Sequence, residues 1–252
     1  GESYRRGFAD NGNPLAPAYL FVEPQVLPIL AGLVDDARRD SLLDLVEANF
    51  ETPLGAMTTV LVGSMGPGGG PDSPHIGGVW PVASAWVTQA WSMRDPTRGW
   101  SSFVRNTLFN HAALYPAIWY GIWSGPDSYN GPDHERAGEA DAHLATALTD
   151  YPVLNAHVHL GPIRALVGLL GVEPTAAGLR IAPRVPAATW SVRMPRLWLE
   201  QNPDRIAGRV FTSVDAPLEL RVRLPEGLRG ATIAVDGASS FVVDAEDVVF
   251  TV

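Results

Sequence analysis

The stretch Gly171-Val172-Glu173-Pro174-Thr175-Ala176-Ala177-Gly178-Leu179-Arg180-Ile181-Ala182-Pro183 marks the point at which the hydrophobic pattern of the chain changes. Just before it, His159, Ile163, Leu166 and Leu170 recur at the spacing of a one-sided amphipathic helix. Just after it the period drops to two. Leu179 to Ala182, Thr189 to Met194, Leu197 to Gln201 and Arg205 to Thr212 read as short strands. Leu218 to Leu224, Ala231 to Val235 and Val248 to Val252 continue that pattern, with turn signals at Asn202-Pro203-Asp204 and Asp236-Gly237.

Working upstream from Val172, four more apolar stripes follow the helical rule. They are Leu27, Leu30, Ala31 and Val34; Leu42, Leu43, Val46 and Phe50; Val79, Val82, Ala83, Trp86, Val87 and Ala90; and Trp100, Phe103, Val104, Thr107 and Leu108. Asp35-Asp36 separates the first two closely enough for an antiparallel hairpin, and Asp95-Pro96 does the same for the next two. The Gly/Pro-rich run Gly63 to Pro74 reads as a flexible loop. The connection from Leu114 to Tyr151 is long, aromatic at its start and polar at its end, and compact domains keep such loops mainly for function. The pattern predicts helical hairpins over residues 1–172, then a β-sandwich-like domain of antiparallel strands over 173–252. No internal repeat is detectable.

Composition narrows the function. Of 252 residues, 46% are hydrophobic and 18% charged, which suits a folded globular chain. The formal net charge of −9 gives no basic footprint for nucleic acid. No apolar run approaches the roughly 20 residues of a membrane span; Ala156 to Val172 is too short and carries His157, His159 and Arg164. All 18 basic residues are Arg, a bias read as compositional. The absence of Cys excludes disulfides, thiolate metal sites and thiol nucleophiles. It leaves the compartment undecided, the cytoplasm slightly favoured. No signal peptide is evident, and the start at Gly1 is compatible with a removed leader or a longer N-terminal part.

The richest chemistry lies in Tyr115-Pro116-Ala117-Ile118-Trp119-Tyr120-Gly121-Ile122-Trp123-Ser124-Gly125-Pro126-Asp127-Ser128-Tyr129-Asn130. Sugars present flat C–H faces and rings of hydroxyls, so a sugar site needs aromatic platforms beside carboxylates and amides. Trp119, Tyr120, Trp123 and Tyr129 are candidate platforms, and Asn130 a hydroxyl-binding amide. Asp127 is the candidate chemical group. The plainer alternative makes the tryptophans core residues and Asp127 a turn cap.

Three further segments carry candidates. Ser73-Pro74-His75-Ile76-Gly77-Gly78-Val79-Trp80-Pro81 leads into the third helix; His75 and Trp80 either face a ligand or belong to an ordinary helix start. Asn155 is a good N-cap for the fifth helix. His157 is free to face a cavity, whereas His159 lies on the apolar stripe; about 200° apart on a helix, the two cannot share a metal. Glu23, in Phe21-Val22-Glu23-Pro24-Gln25, is either a helix-start carboxylate favoured by the dipole or a catalytic group. Asp10-Asn11-Gly12-Asn13-Pro14 is a turn whose polar groups are within reach of a ligand.

Taken in order, several segments resemble the C-terminal part of the cellobiose and chitobiose phosphorylase family (glycoside hydrolase family 94) and related six-hairpin glycosidases. Tyr4-Arg5-Arg6-Gly7-Phe8-Ala9-Asp10-Asn11-Gly12 resembles the family's Arg-Ala-Phe-Asp-Asp-x-Gly segment, and Phe21 to Leu33 the helix after it. Thr52-Pro53-Leu54-Gly55 is similar to a Thr-Pro-Tyr-Gly turn, and His75 to Trp86 to a Gly-Gly-Ile-Trp-Pro-x-Ala-x-Ala-Trp helix start. Gly171 to Thr175 and Gly178 to Pro183 resemble the join to a C-terminal β-domain. The likeness covers most of residues 1–200.

The resemblance implies part of an (α/α)6 barrel followed by a β-domain, cleaving or transferring glycosyl groups with inversion. The family's general-acid Asp lies upstream of the segments present here, and the helices read are too few to close a barrel. An N-terminal chain or segment completing it, and supplying the acid, is therefore expected. The phosphate-binding Thr-Gly-Ser/Thr-Ala-Gly-Trp stretch is replaced by Leu154-Asn155-Ala156-His157-Val158-His159-Leu160. His134, His143 or His157 with Arg136 remain as possible anion ligands. The expected activity is thus an inverting glycoside hydrolase acting on an oligosaccharide or glycoside, with Asp127 as base or orienting carboxylate and Glu23 second. An inverting phosphorylase using inorganic phosphate is the alternative, and a non-catalytic carbohydrate-binding or structural module the third reading. No cofactor or metal is implied.

Overall fold

The computed structural model describes residues 3–5, 7–15, 18–61, 78–118, 126, 128–132, 134–140, 157–211, 217–228, 234, 241–244 and 246–251. The chain divides into two compact units, Gly1–Leu166 and Val167–Val252. That division falls inside the last helix, ahead of the pattern change at Val172. Among the described residues, no helix is long and apolar enough to cross a membrane.

The first unit interleaves helices with very short strands. Its elements are β1 (Tyr19–Phe21), α1 (Glu23–Leu30), α2 (Asp36–Asn49), β2 (Glu51–Thr52), β3 (Gly55–Ala56) and β4 (Thr59–Leu61). There follow β5 (Gly78–Val79), α3 (Pro81–Arg94), α4 (Pro96–Arg105), α5 (Leu108–Leu114), β6 (Tyr129–Asn130) and α6 (His157–Leu169), which runs on into the second unit.

Local chemistry explains where these helices start and stop. The Asp35 side chain accepts the Arg38 amide at 2.8 Å and starts α2; Asp95 accepts the Thr97 and Arg98 amides and starts α4, with Pro96 having no N–H to satisfy. The first apolar stripe reaches Val34, yet α1 ends at Leu30, because the chain turns through Gly32 at φ +66° to meet the Asp35 cap. The fourth stripe is likewise cut at Asn106. Thr107 then caps α5, accepting the Asn110 amide at 3.2 Å, a helix the periodicity does not show.

The core of this unit joins Val22, just ahead of α1, and Val26 and Ile29 of α1 to Leu42, Leu43 and Val46 of α2 with Phe50 just after it, and to Val87, Ala90 and Trp91 of α3. Fully buried side chains of the size of Ile29, Leu42 or Phe50 each contribute about 1.5–3 kcal/mol relative to exposure. Helix α3 lies closest to α4. Gly99 meets the Ser92 backbone where a Cβ would come within 2.8 Å, and Thr88 Oγ1 and Ser102 Oγ share a buried hydrogen bond of 2.8 Å. Glu51 ties the same region together, accepting from the Trp91 indole and pairing with Arg105 Nη1 at 2.7 Å.

The second unit consists of β7 (Val172–Pro174), β8 (Gly178–Ile181), β9 (Trp190–Met194), β10 (Leu197–Asn202), β11 (Arg205–Val210), β12 (Glu219–Arg223), β13 (Phe241–Asp244) and β14 (Asp247–Thr251). A 3-10 turn occupies Glu226–Leu228. One sheet has five strands in the order β13-β14-β12-β8-β7, and the other three in the order β11-β10-β9. Gly171, at φ +60°, ends α6 and receives the Ala182 amide at 3.0 Å, so the helix feeds directly into the β7–β8 hairpin. Leu197, Leu199, Ile181, Leu220 and Val248 are buried. An apolar cavity of about 590 Å³ is lined by Val172, Leu179, Ile181, Met194, Leu197 and Val210, among others.

Two expectations are overturned. The chain is not mainly helical hairpins forming part of an (α/α)6 barrel: among the described residues six helices and fourteen strands occur, with 37% helix and 29% strand in five small sheets. The physical reason is that the segments between helices pair with one another as two- and three-residue ladders, β1 with β4, β2 with β3 and β5 with β6. Strands this short carry no period for a hydrophobic pattern to reveal. The expected completing segment was tied to that barrel. Nor is the second unit purely antiparallel. The chain leaves β8 to build the three-stranded sheet and returns as β12 beside β8 in parallel, Leu220 opposite Leu179 and Val222 opposite Ile181. The strand expected at Ala231 to Val235 lies almost wholly outside the described residues.

Candidate functional site

In the first unit the described ends of three segments nominated by sequence, at Val22, Gly78-Val79 and Tyr129-Asn130, meet on one narrow ladder. The Val22 amide, next to Glu23, donates to the Thr58 carbonyl at 2.9 Å, and the Thr58 amide donates to the Gly78 carbonyl at 3.1 Å. Met57 bridges Val79, Val79 pairs with Tyr129, and Tyr129 bridges Ala140. The stretches around Val22, Thr58, Val79 and Tyr129, distant in sequence, thus lie side by side with Ala140 beyond, at the roughly 4.8 Å spacing of neighbouring strands. The Thr52-Pro53-Leu54-Gly55 turn supports one end. Gly55 sits at φ +126° with room for no side chain, since a Cβ would come 2.6 Å from Ser84 Oγ, and that hydroxyl accepts the Ala56 amide at 2.8 Å.

Glu23 is the first residue of α1, with Pro24 behind it, and no side chain caps that helix. Its carboxylate is placed where the helix dipole favours negative charge. Oε2 is shielded from solvent and has no hydrogen-bond partner among the described residues. An unmet carboxylate oxygen is costly to keep and stands out beside its neighbour Gln25. Gln25 is fully buried and fully used: Oε1 accepts the Tyr4 amide at 2.9 Å while Nε2 donates to the Tyr4 and Phe21 carbonyls. Gln25 therefore holds the Tyr4 segment against α1, a role that sequence reading missed because a lone Gln carries no pattern.

Asn130 and Tyr129 are interior residues. Asn130 is 4% exposed, and its Nδ2 donates to the carbonyls of Arg136 and Ala140 at 3.0 and 3.2 Å. Its amide hydrogens are thereby committed to folding the turn that follows β6. The Tyr129 ring stacks on His111, centroids 4.4 Å apart and planes at 25°. His111 was not singled out by sequence and has no motif around it. It is buried on α5, its Nε2–H donates to the Gly138 carbonyl at 2.7 Å, and Tyr115 flanks its other side at 5.7 Å. Burial holds its pKa below the usual imidazole value, partly offset by the bond to Gly138. Trp80 precedes α3, half-buried and packed on the core.

Other nominated groups are placed as follows. His157 is the first residue of α6, its side chain outside the description. His75, Trp119, Tyr120, Trp123, Asp127 and Asn155 lie outside the described residues. Of the candidate anion ligands, Arg136 is paired with Glu139 at 2.7 Å, and its backbone amide donates to His134 Nδ1 at 3.0 Å. Both partners are thus occupied within their own turn, and His143 lies outside the described residues.

Chemically, the ladder gives a rigid backbone strip with one carboxylate oxygen unmet at one end and the aromatic segment tethered at the other. Among the described residues no group of His, Asp and Glu side chains is arranged to hold a metal ion. Compared with known proteins, the chain matches no family model and no curated protein.

Proposed function

We propose that the first unit carries a carbohydrate site at which glycosidic bonds are hydrolysed with inversion. The observation that carries this reading is the β5–β6 pairing, Gly78 opposite Asn130 and Val79 opposite Tyr129. It joins the glycine-rich segment containing His75 and Trp80 to the aromatic segment ending at Asn130, and Thr58 connects both to Glu23. Aromatic rings, a carboxylate and amide groups, which these sequence segments carry together, are what a pyranose ring and its hydroxyls require.

In this reading Asp127, two residues before Tyr129, takes the proton of the attacking water. Glu23 orients substrate or shares that role. Inversion requires the base to stand roughly 6.5–9.5 Å from a general acid on the opposite face of the bond. The acid is supplied by a partner chain or segment.

Phosphorolysis draws less support, because Arg136 already neutralises Glu139. The test is sugar release from an oligosaccharide panel with and without phosphate, with the product anomer followed by proton NMR. Phosphate-independent release of the inverted anomer is expected. Asp127→Asn lowers turnover by about 10²- to 10⁴-fold while the circular dichroism spectrum is unchanged. Retention of more than about a tenth of the activity removes Asp127 as base. Sugar binding without turnover in the unaltered protein reduces the function to a non-catalytic binding module.

A further inference from the structure

The second unit carries a surface strip of its own. In β9, β10 and β11 the side chains alternate between an apolar inner face and an outer one. Val192, Met194, Leu197, Leu199, Ile206 and Val210 face inward, with Leu197 and Leu199 buried. On the outer face Trp198 occupies the middle strand. Directly across from it stand Arg193 on β9 and Arg209 on β11, both exposed. One place along, Glu200 is balanced by Arg205 at 3.7 Å. Beyond β11, Phe211 is 48% exposed under the Arg209 guanidinium, 5.8 Å from its ring centroid.

The strip is unusual in two ways. The protein carries a net charge of −9, yet here an indole is flanked on both sides by guanidinium groups that make no ion pair among the described residues. In contrast, Arg180, Arg184 and Arg223 of the same unit are each paired with carboxylates. The Trp198 indole N–H is also without an acceptor among the described residues. A surface Trp with one paired Arg is ordinary packing. A partly exposed Trp with an exposed, unpaired Arg on each neighbouring strand places an apolar ring between two cationic side chains whose backbones are about 4.8 Å away on either side.

We infer that this outer face of β9–β10–β11 binds an anionic oligosaccharide of the uronic-acid class. The ring's C–H face lies against Trp198, and its carboxylates are held by Arg193 and Arg209. The planar guanidinium fork suits a carboxylate bidentately. A long polyanion fits poorly, because the remainder of the −9 protein repels it beyond this short strip. The inference is independent of cleavage in the first unit, since it concerns binding alone.

Calorimetric titration of the whole chain with trigalacturonate tests it, with neutral trigalactose as the control. Saturable binding of trigalacturonate is expected, at least about tenfold tighter than trigalactose. Raising salt to about 0.5 M, where the screening length falls to roughly 4 Å, weakens it several-fold. The double variant Arg193→Gln/Arg209→Gln changes only exposed side chains and lowers affinity at least about tenfold. Trp198→Ala does the same, with Trp198→Phe restoring part of the affinity as a check that the strand still folds. Three results overturn the inference: no saturable binding, equal binding of trigalactose, or unchanged affinity in the Arg double variant. Equal affinity for a short single-stranded oligonucleotide also overturns it, in favour of a general polyanion surface.

Discussion

The two units solve the problem of interior polar groups in opposite ways. Every buried polar residue among those described, from Gln25 through Ser84, Thr88 and Asn106 to His111 and Asn130, belongs to the first unit. Several of them connect elements far apart in sequence: Gln25 to Tyr4, Ser84 to Ala56, Asn106 to the Pro81 carbonyl, His111 to Gly138. The second unit keeps its polar side chains at the surface and joins its strands by regular ladders and half-exposed ion pairs such as Arg180–Glu173 and Arg180–Asp247. The difference follows from backbone geometry. Ladders of two residues leave most N–H and C=O groups of a segment unpaired, so side chains must meet them. Five- and six-residue strands satisfy themselves. The irregular, side-chain-stitched unit is also where a shielded carboxylate oxygen, Glu23 Oε2, is left without a partner among the described residues.

Removing a stitch in the first unit has the largest expected effect. Asn130→Ala strands the Arg136 and Ala140 carbonyls and opens a void, at a cost of about 2–3 kcal/mol, read as a lowered denaturant midpoint. An equal loss for Glu173→Gln in the second unit erases the contrast. That change touches only partly exposed pairs with Arg180 and Arg184, and less than about 1 kcal/mol is expected from it.

The buried imidazole gives the first unit a pH dependence the second lacks. His111 has its pKa lowered in the folded state, so the unfolded chain takes up a proton first as pH falls. Stability is therefore full above about pH 6.5, the unfolded value, and declines as pH drops below it towards the folded value. His111→Gln, which keeps a donor toward Gly138, flattens that slope in urea titrations run from pH 7.5 to 5.5. An unchanged slope assigns the dependence to other groups.

The sequence shows those features that depend on neighbours in the chain. Asp35, Pro81 and Asp95-Pro96 place three helix starts because a cap or an N-terminal proline acts within one turn. The alternation of Leu197 to Gln201 likewise reveals β10, since half of it is buried. Features that depend on distant partners were not legible. Gly78-Val79 looks like part of a helix start, and only its pairing with Tyr129-Asn130 makes it a strand. The parallel contact of β8 with β12 depends on a return crossing after nearly forty residues, which no local pattern encodes. For the candidate site, sequence nominated Glu23 and the Tyr129 segment but missed Thr58, which links them, and His111, which supports Tyr129. Neither residue belongs to a motif; each matters through what the fold brings beside it.

The central proposal is that the segments joined by the Val79–Tyr129 pairing carry a sugar site. Amide NMR of the labelled chain, titrated with a substrate-class oligosaccharide, tests this most directly. The account predicts saturable shifts at Glu23, Thr58, Gly78, Val79 and Tyr129, diminished by Glu23→Gln. Saturable binding that leaves those amides unmoved, or no binding by any sugar, would contradict it.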